Sequence, residues 1–193
     1  MTESIRAFIA VEIDRDTQSV LGTVATQIQK TSSLIVKWTP NRNIHLTLKF
    51  LGEVETWELG SIQQLLRDVA NQFRSFSANI TQLGAFPSLG NPRVIWIGLD
   101  APSPLFQLAR AIEVSTRNLG FSTDDKPFIP HLTLGRVHPT ITREQQNDLS
   151  KGLRSIPIPI FKPIQIQSIT LFQSILKPGG SEYYTLTECR FND

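Results

Sequence analysis

Apolar and polar residues recur along this chain with two periods, one of about two residues that predicts strands and one of about 3.6 residues that predicts helices. In the first half the pattern predicts strands at Ile5–Ile13, Leu34–Trp38, Ile44–Leu51 and Ala78–Phe86. It predicts helices over Asp14–Lys30 and from Thr56 to Phe73. This mixture of strands and helices favours an α+β fold.

The second half repeats the same order of elements. Its strands are predicted at Arg93–Leu99, His131–His138, Ile164–Ile175 and Glu182–Cys189. Its helices are predicted from Ser103 to Leu119 and from Thr142 to about Leu153. Thr142 and Gln145 have the spacing of a capping box, which favours a helix start at that point.

A repeat with one fixed offset connects the two halves. The tetrapeptide His-Leu-Thr-Leu occurs at His45–Leu48 and again at His131–Leu134, 86 residues later. The apolar runs that end in Asp14 and Asp100 keep the same offset. We therefore interpret the chain as one unit written twice, with copy one at about 5–90 and copy two at about 91–176. The two copies are expected to pack as pseudo-symmetric lobes of a single domain, 1–193.

Strand alternation sorts the residues of the repeated motif onto two faces. In the first motif the polar face carries His45, Thr47 and Lys49, and the apolar face carries Leu46, Leu48 and Phe50. The second motif puts His131 and Thr133 on its polar face. If a pseudo-two-fold axis relates the lobes, both polar faces meet in one groove, which then holds two imidazoles and two hydroxyls.

Two imidazoles and two hydroxyls suit an in-line displacement at phosphorus. One neutral histidine can activate the nucleophile while one protonated histidine protonates the leaving oxygen. The hydroxyls of Thr47 and Thr133 can donate hydrogen bonds to the non-bridging oxygens, where negative charge accumulates. This scheme requires no metal and no cofactor, in keeping with a chain that has no concentrated cluster of metal-ligating residues.

Four further residues are candidates for the groove, and a third histidine, His138, is not. Arg136 falls on the apolar face by strict alternation, so a role in the groove requires a β-bulge at its neighbour Gly135. Lys49 is interpreted either as a phosphate contact or as a solvated surface residue. Trp38 and Phe128 can stack on a base or belong to the core. His138 is expected to be an exposed strand end without a catalytic role.

Composition and charge narrow the classes of function. The longest apolar runs are strand-length, so no transmembrane helix is expected, and the N-terminal residues lack a signal-peptide pattern. The single Cys189 cannot form an internal disulfide and is expected to be buried. These features predict a cytosolic monomer. A net charge of +2 suits a modest anionic ligand or an RNA end better than non-specific binding to long nucleic acid.

The paired H-x-T-x motifs resemble the signature of the two-histidine (2H) phosphoesterase superfamily. The surrounding sequence is similar to that of the RNA 2′,3′-cyclic phosphodiesterases, once described as 2′-5′ RNA ligases. The similar stretches are Arg6–Ala10, Val36–Trp38, His45–Gly52, Gly84–Pro87, Pro127–His131, Leu171–Phe172 and Pro178–Gly180.

This resemblance implies a bilobal α+β fold in which each lobe has an antiparallel sheet and two helices, with a central cleft between the lobes. It implies hydrolysis of a 2′,3′-cyclic phosphate at an RNA end, or on a small cyclic nucleotide, to a 2′-phosphate. It also implies that His45 is the proton donor and His131 the proton acceptor, while Thr47, Thr133 and Arg136 bind the phosphate. Reverse 2′-5′ ligation through the same transition state is chemically accessible.

Three alternatives remain open at this point. The nearest is a 2H phosphodiesterase with another substrate, either a 2′-5′ oligonucleotide or a cyclic-phosphate sugar nucleotide. A second is a non-catalytic module that binds RNA ends. A histidine-based metal protein is the third, although two histidines with threonine neighbours offer few ligands.

Overall fold

The computed structural model describes residues 3–31, 35–100, 102–123, 126–178 and 180–192. Leu34, where the second strand was predicted to begin, and Gly179 lie outside the described residues. The strands are β1 Ser4–Glu12, β2 Val36–Trp38, β3 His45–Glu55, β4 Phe76–Ala78, β5 Ile80–Ser88, β6 Asn91–Leu99, β7 His131–Val137, β8 Ile164–Ile166, β9 Ser168–Lys177 and β10 Gly180–Arg190. The helices are α1 Arg15–Thr31, α2 Leu59–Ala70, α3 Ser103–Asn118 and α4 Arg143–Ser155. Short 3₁₀ turns occur at Asn41–Asn43 and Thr56–Glu58.

Local sequence signals account for where the helices begin. The carboxylate of Asp14 accepts hydrogen bonds from the backbone N and the hydroxyl of Thr17, at 2.8 and 2.7 Å, and so satisfies the first turn of α1. The predicted capping box at α4 is confirmed. The backbone N of Gln145 donates to Thr142 Oγ1 at 3.2 Å, and the backbone N of Thr142 donates to Gln145 Oε1 at 2.9 Å.

Two segments predicted as single strands are each divided in two. The predicted strand Ala78–Phe86 is split between β4 and β5 at Asn79, and the predicted strand Ile164–Ile175 between β8 and β9 at Gln167. At the first break the backbone N and the side chain of Asn79 donate to the carboxylate of Asp100, at 2.6 and 2.7 Å. The first part of each segment is therefore free to pair elsewhere, and β4 and β8 form a separate two-stranded sheet.

The main sheet has the strand order β10-β9-β1-β3-β7-β6-β5, with β2 paired to β7, and its pairs are antiparallel. We call β1, β3, β9 and β10 with α2 and α3 the first lobe, and β2, β5, β6 and β7 with α1 and α4 the second lobe. Each lobe therefore has an antiparallel sheet segment and two helices, as predicted, and the two sheet segments join where β3 meets β7.

The lobes in space do not coincide with the copies in sequence. Strand β5 closes copy one but pairs with β6 of copy two, and β9 of copy two pairs with β1 of copy one. Helix α1 contacts β7 and α4, while the equivalent α3 contacts β3 and α2. The expectation that each copy forms its own lobe is therefore wrong, because the copies exchange a helix and their last strand.

Candidate active site

The two motif strands lie side by side at the centre of the sheet. Leu46 of β3 pairs with Leu132 of β7, and these are equivalent residues of the two copies. A pair of equivalent residues places the pseudo-two-fold axis between them. Continued by one residue on either side, this antiparallel register sets His45 opposite Thr133 and Thr47 opposite His131.

The two faces of the motif strands divide as predicted over the first four residues of each motif. The side chains of Leu46, Leu132 and Leu134 are completely buried in the core beneath the helices. On the opposite face His45, Thr47, His131 and Thr133 are half-buried. The fold therefore brings the imidazoles and hydroxyls of both copies onto one side of the sheet, around the pseudo-two-fold axis.

Each imidazole is held by the same backbone contact. Nδ1 of His45 lies 2.7 Å from the carbonyl oxygen of Asn43, and Nδ1 of His131 lies 2.7 Å from that of Ile129. Because a carbonyl oxygen only accepts, Nδ1 carries the hydrogen in both rings. In the neutral form, Nε2 of each histidine is then the nitrogen with a lone pair for proton transfer.

Burial sets the protonation of the two rings in the free protein. His45 packs against Phe8, with ring centroids 4.9 Å apart, and against Tyr183, at 5.2 Å. Burial is the largest cause that lowers the pKa of His45, to about 4. The hydrogen bond to Asn43 acts in the opposite direction, and the nearby charge of His131 lowers the pKa further. The two imidazoles are thus close enough to interact electrostatically.

The ring of His131 has a matching aromatic environment. It meets Phe86 edge-on at 5.0 Å and lies 6.1 Å from Trp96. Burial is the largest cause that lowers the pKa of His131, and the positive charge of Arg136 lowers it further. Both histidines are therefore expected to be neutral at pH 7 before a substrate binds.

A β-bulge follows each motif at the same position of the repeat. Thr47 pairs with Ala10 and Lys49 with Ile9, which leaves Leu48 as an extra residue in β3. The equivalent Leu134 is the extra residue in β7. Beyond each bulge the alternation is reversed, so the bulge that Arg136 required is present, and this arginine lies on the face of the histidines.

The same bulge removes Lys49 from the site, so the phosphate-contact and surface interpretations of this lysine are both wrong. Its side chain is 1% exposed, and Nζ lies 2.7 Å from Glu113 Oε2 of α3. Nζ also donates to the carbonyl oxygen of Ser122 at 2.7 Å. Lys49 therefore ties β3 to the second copy inside the core, and the next residue, Phe50, takes the place on the cleft face.

Neither aromatic residue proposed to stack on a base lies in the cleft. Trp38 packs against the core over Gly135, and a Cβ atom at that glycine would lie 2.9 Å from Trp38 Cε3. Phe128 packs against the core and meets Phe106 edge-on at 6.3 Å. His138 is exposed at the end of β7, as expected, and Cys189 is buried.

A cleft of about 440 Å³ opens on the face of the histidines. Its lining comes from β1, β3, β7 and the hairpin of β9 and β10, and comprises Arg6, Ala7, Phe8, Thr39, Asn43, His45, Thr47, Phe50, Gly52, Thr133, Arg136, Ser174, Leu176, Ser181 and Tyr183. His131 is not among these lining residues; it lies two residues from Thr133, on the same face of β7.

Arg6, Phe50 and Tyr183 are among the cleft residues that were not predicted from the sequence. Arg6 and Phe8 lie on the same face of β1. This face becomes the cleft face because β1 pairs with β3. Phe50 was assigned to the apolar face because no bulge was predicted in β3. Tyr183 comes from the final strand, which has no counterpart in copy one.

The described residues also bear on metal binding and on membrane insertion. Within these ranges no three His, Cys, Asp or Glu side chains cluster as they would to hold a metal ion. No described helix is long and apolar enough to cross a membrane.

Comparison with known proteins identifies the family. Residues 11–96 and 97–183 each match the family described as LigT like Phosphoesterase. The chain belongs to this family. The resemblance to 2H phosphoesterases is therefore confirmed, and so is the two-fold repeat, since the family unit matches twice.

Relatives of this LigT-like phosphoesterase align over nearly its full length. An Archaeoglobus fulgidus protein named RNA 2′,3′-cyclic phosphodiesterase is 33% identical over 94% of this chain and 98% of its own length. A Thermotoga maritima protein of the same name is 29% identical over 97% of this chain and 96% of its own length.

Among solved structures, TT0787 of Thermus thermophilus superposes with a TM-score of 0.81 at 27% identity, over 96% of this chain and 97% of that one. E. coli LigT complexed with 3′-AMP gives 0.78 at 24% identity, over 99% of this chain and 100% of that one, and shows a shared fold. The expected α+β fold is confirmed by these likenesses.

Proposed function

We propose that this LigT-like phosphoesterase hydrolyses 2′,3′-cyclic phosphates at RNA ends to 2′-phosphates. The observation that carries the proposal is the pair of imidazoles around one pseudo-two-fold axis, each with Nδ1 bonded to a backbone carbonyl and each beside a threonine. The names of the relatives, RNA 2′,3′-cyclic phosphodiesterase, support the choice of substrate.

The proposed reaction is one in-line displacement. His131 takes a proton from water as the water oxygen forms a bond to phosphorus. The bond between phosphorus and the 3′ oxygen breaks, and His45 gives that oxygen its proton. Which histidine takes which role follows the family resemblance.

Thr47, Thr133 and Arg136 are proposed to hold the non-bridging oxygens. The two threonines flank the axis, so their hydroxyls can donate to the phosphate from both sides. The guanidinium of Arg136 supplies positive charge beside them. These groups stabilise the charge that develops as water adds, and the scheme needs no metal or cofactor. We expect chelation of divalent ions to leave the rate unchanged.

An RNA end fits this cleft better than an isolated phosphate. Arg6 and Arg136 line the same volume, so two guanidinium groups can meet an anion that carries more than one phosphate. Ligation uses the same groups in the same roles, with an RNA 5′-hydroxyl in place of water: His131 takes its proton as the 5′ oxygen bonds to phosphorus, and His45 protonates the departing 3′ oxygen. A cytosolic, monomeric enzyme remains our prediction.

The proposal is tested by replacing each histidine and identifying the product. His45→Ala and His131→Ala should each lower kcat on a cyclic-ended oligonucleotide by about 10²-fold or more, because each removes one proton-transfer group. The product of the unchanged protein should be a 2′-phosphate. His138→Ala, at an exposed histidine outside the cleft, is the matched control and should retain full activity.

Other outcomes would select other functions. Turnover of 2′-5′ oligonucleotides or cyclic-phosphate sugar nucleotides, with none of a 2′,3′-cyclic end, would favour a different phosphodiesterase. Tight binding of the RNA end without hydrolysis would indicate a binding module. Full activity in either histidine variant would contradict the mechanism.

A further inference from the structure

A second cavity of about 440 Å³ lies beside the cleft. Its lining comes from the end of β1, the start of α1, the turn before β3, and strands β9 and β10. Asn43, His45 and Tyr183 line both volumes and form the wall between them. The reaction centre therefore borders two cavities, and the proposed hydrolysis uses the groups of one.

The two volumes extend in opposite directions from His45. Strand β1 runs antiparallel to β3, with Arg6 opposite Glu53 and Glu12 opposite His45. The cleft is lined by the Arg6 end of β1, and the second cavity by the Glu12 end. A ligand held at His45 can therefore reach into both volumes at once.

Hydrogen bonds fix the wall between the cavities. Nδ2 of Asn43 donates to the carbonyl oxygen of Ser181 at 2.7 Å and so ties the turn before β3 to β10. The carbonyl oxygen of the same asparagine holds Nδ1 of His45. On the α1 side, Nε2 of Gln18 donates to the carbonyl oxygen of Ile44 at 3.1 Å. The second cavity is therefore bounded by connected segments of the fold.

The charges of the second cavity favour an anion. Arg15 and Arg42 are exposed and line it, together with the carboxylates of Glu12 and Glu182. Glu182 is paired, since its Oε2 lies 2.6 Å from Nζ of Lys177. Once that pair is set aside, two guanidinium groups of the described lining face one further carboxylate, that of Glu12. A net positive charge is left for a ligand, and guanidinium groups match the geometry of a phosphate.

The proposed reaction places the ribose of the terminal nucleotide beside this cavity. His45 protonates the departing 3′ oxygen, so the ribose that carries this oxygen lies next to His45. In an RNA chain the 5′ oxygen of the same ribose is joined to the preceding phosphate. With the cyclic phosphate held in the cleft by the threonines, that preceding phosphate can extend past His45 into the second cavity.

We propose that Arg15 and Arg42 bind the phosphate on the 5′ side of the terminal nucleotide. This inference rests on the proposed function and specifies its substrate: a cyclic end that continues into an RNA chain, in preference to a free cyclic nucleotide. A phosphate that does not react still aids the reaction, because its binding orients the ribose for attack at the neighbouring phosphorus.

The test compares two substrates that differ in one phosphate. One is adenosine 2′,3′-cyclic phosphate, and the other is the same molecule with a 5′-phosphate. The ratio of their kcat/KM values should favour the 5′-phosphorylated substrate. Arg15→Gln and Arg42→Gln should each lower this ratio by about twofold to fivefold, and the double variant should lower it further, while kcat/KM on the substrate without the 5′-phosphate stays unchanged.

Ionic strength and a variant of opposite effect give independent readouts. Raising monovalent salt from about 50 to about 200 mM should lower the ratio in the unchanged protein and change it less in the double variant. Glu12→Gln removes the carboxylate that opposes the anion, so it should raise the ratio. A fall of the ratio in Glu12→Gln would contradict the proposal.

Two other arginines show whether the position matters. Arg110→Gln removes an exposed arginine of α3 that lines neither volume and should leave the ratio unchanged. Loss of the ratio in Arg6→Gln, with none in the double variant of Arg15 and Arg42, would put the 5′-phosphate in the cleft and overturn the proposal. An equal loss on both substrates in the double variant would overturn it as well.

A binding measurement separates this inference from the proposed hydrolysis. If the unchanged protein turned over neither substrate, the hydrolysis proposal would fail, and titration with adenosine 2′-monophosphate and with adenosine 2′,5′-bisphosphate would still test the second cavity. Weaker binding of the bisphosphate alone in the double variant would support it. Equal affinity for the bisphosphate in the two proteins would refute it.

Discussion

Two imidazoles that are both neutral in the free protein must gain one proton before they can act as an acid and a base. Burial lowers the pKa of His45 to about 4 and also lowers that of His131, so neither ring holds a proton at pH 7. A bound phosphate carries negative charge beside the rings and raises the pKa of the imidazole it meets. The proton is then taken up together with the substrate.

This order of events predicts a distinct pH dependence. Because kcat/KM reports the free enzyme and both pKa values lie below the usual 6.5, kcat/KM should fall as pH rises from 6.5 to 8, approaching about tenfold per pH unit. The profile of kcat should lie at higher pH because the bound phosphate favours the imidazolium. Initial rates across this range give both the kcat/KM profile and the kcat profile. A kcat/KM maximum above pH 7.5 would contradict the neutral state of both histidines in the free protein.

Lys49 gives a second prediction at the residue scale. A phosphate contact and a buried ion pair in the core predict different effects when its charge is removed. Lys49→Met removes the partner of Glu113 and the donor to Ser122, so the free energy of unfolding should drop by about 2–4 kcal/mol. At a temperature where the variant stays folded, kcat/KM should remain within about twofold of the unchanged value. Denaturant unfolding and steady-state kinetics measure the two effects. A large loss of kcat/KM with unchanged stability would restore the phosphate contact.

At the scale of elements, the bulge in β7 depends on a residue without a side chain. A Cβ atom at Gly135 would lie 2.8 Å from Val36 Cγ1 and 2.9 Å from Trp38 Cε3, so β2 packs directly on this glycine. Gly135→Ala should force β2 away from β7, lower stability by about 1–3 kcal/mol and reduce turnover through Arg136.

The matched control for this prediction is Gly60→Ala in α2. No atom lies within 4 Å of the place where its Cβ would be, and the substitution should leave stability unchanged or raise it by up to about 1 kcal/mol. Thermal melts and kcat/KM of both variants provide the comparison. Equal effects of the two substitutions would show that the packing of β2 does not constrain the bulge.

The bulges also mark where the sequence ceased to predict the site. Strict alternation holds as far as Leu48, and up to that residue the prediction of His45 and Thr47 on one face is confirmed. One inserted residue reverses the faces, so Lys49 and Phe50 exchange places. Nothing in a single sequence reveals such an insertion, because the bulge depends on pairing with a distant strand. Strict alternation put Arg136 on the apolar face, whereas it lines the cleft; its role in binding phosphate came from the family resemblance and stays a prediction.

At the scale of the whole molecule, the repeat predicted the symmetry but not the connectivity. Hydrophobic periodicity finds elements and their order, whereas the partner of each strand depends on the path of the connecting segments. The sequence thus indicated two lobes without showing that β5 and β9 cross between them.

This exchange predicts that the copies do not fold separately. A fragment of residues 1–90 lacks β6, which pairs with β5, and β9, which pairs with β1. A fragment of residues 91–193 lacks β5 and β1, the partners of β6 and β9. Neither fragment should show a cooperative thermal transition, while the full chain should unfold in one. Calorimetry of the three proteins tests this. A sharp transition in either fragment would mean that each copy is an independent folding unit.

The crossing strands bear on how such a molecule could arise. A chain with a single copy would have an unpaired sheet edge, an uncovered strand face and one imidazole. Two identical chains that lent each other their final strand and first helix would repair all three defects at once. Fusion of their genes would then leave the arrangement intact and allow the two halves to differ at equivalent positions, as Phe50 and Arg136 do.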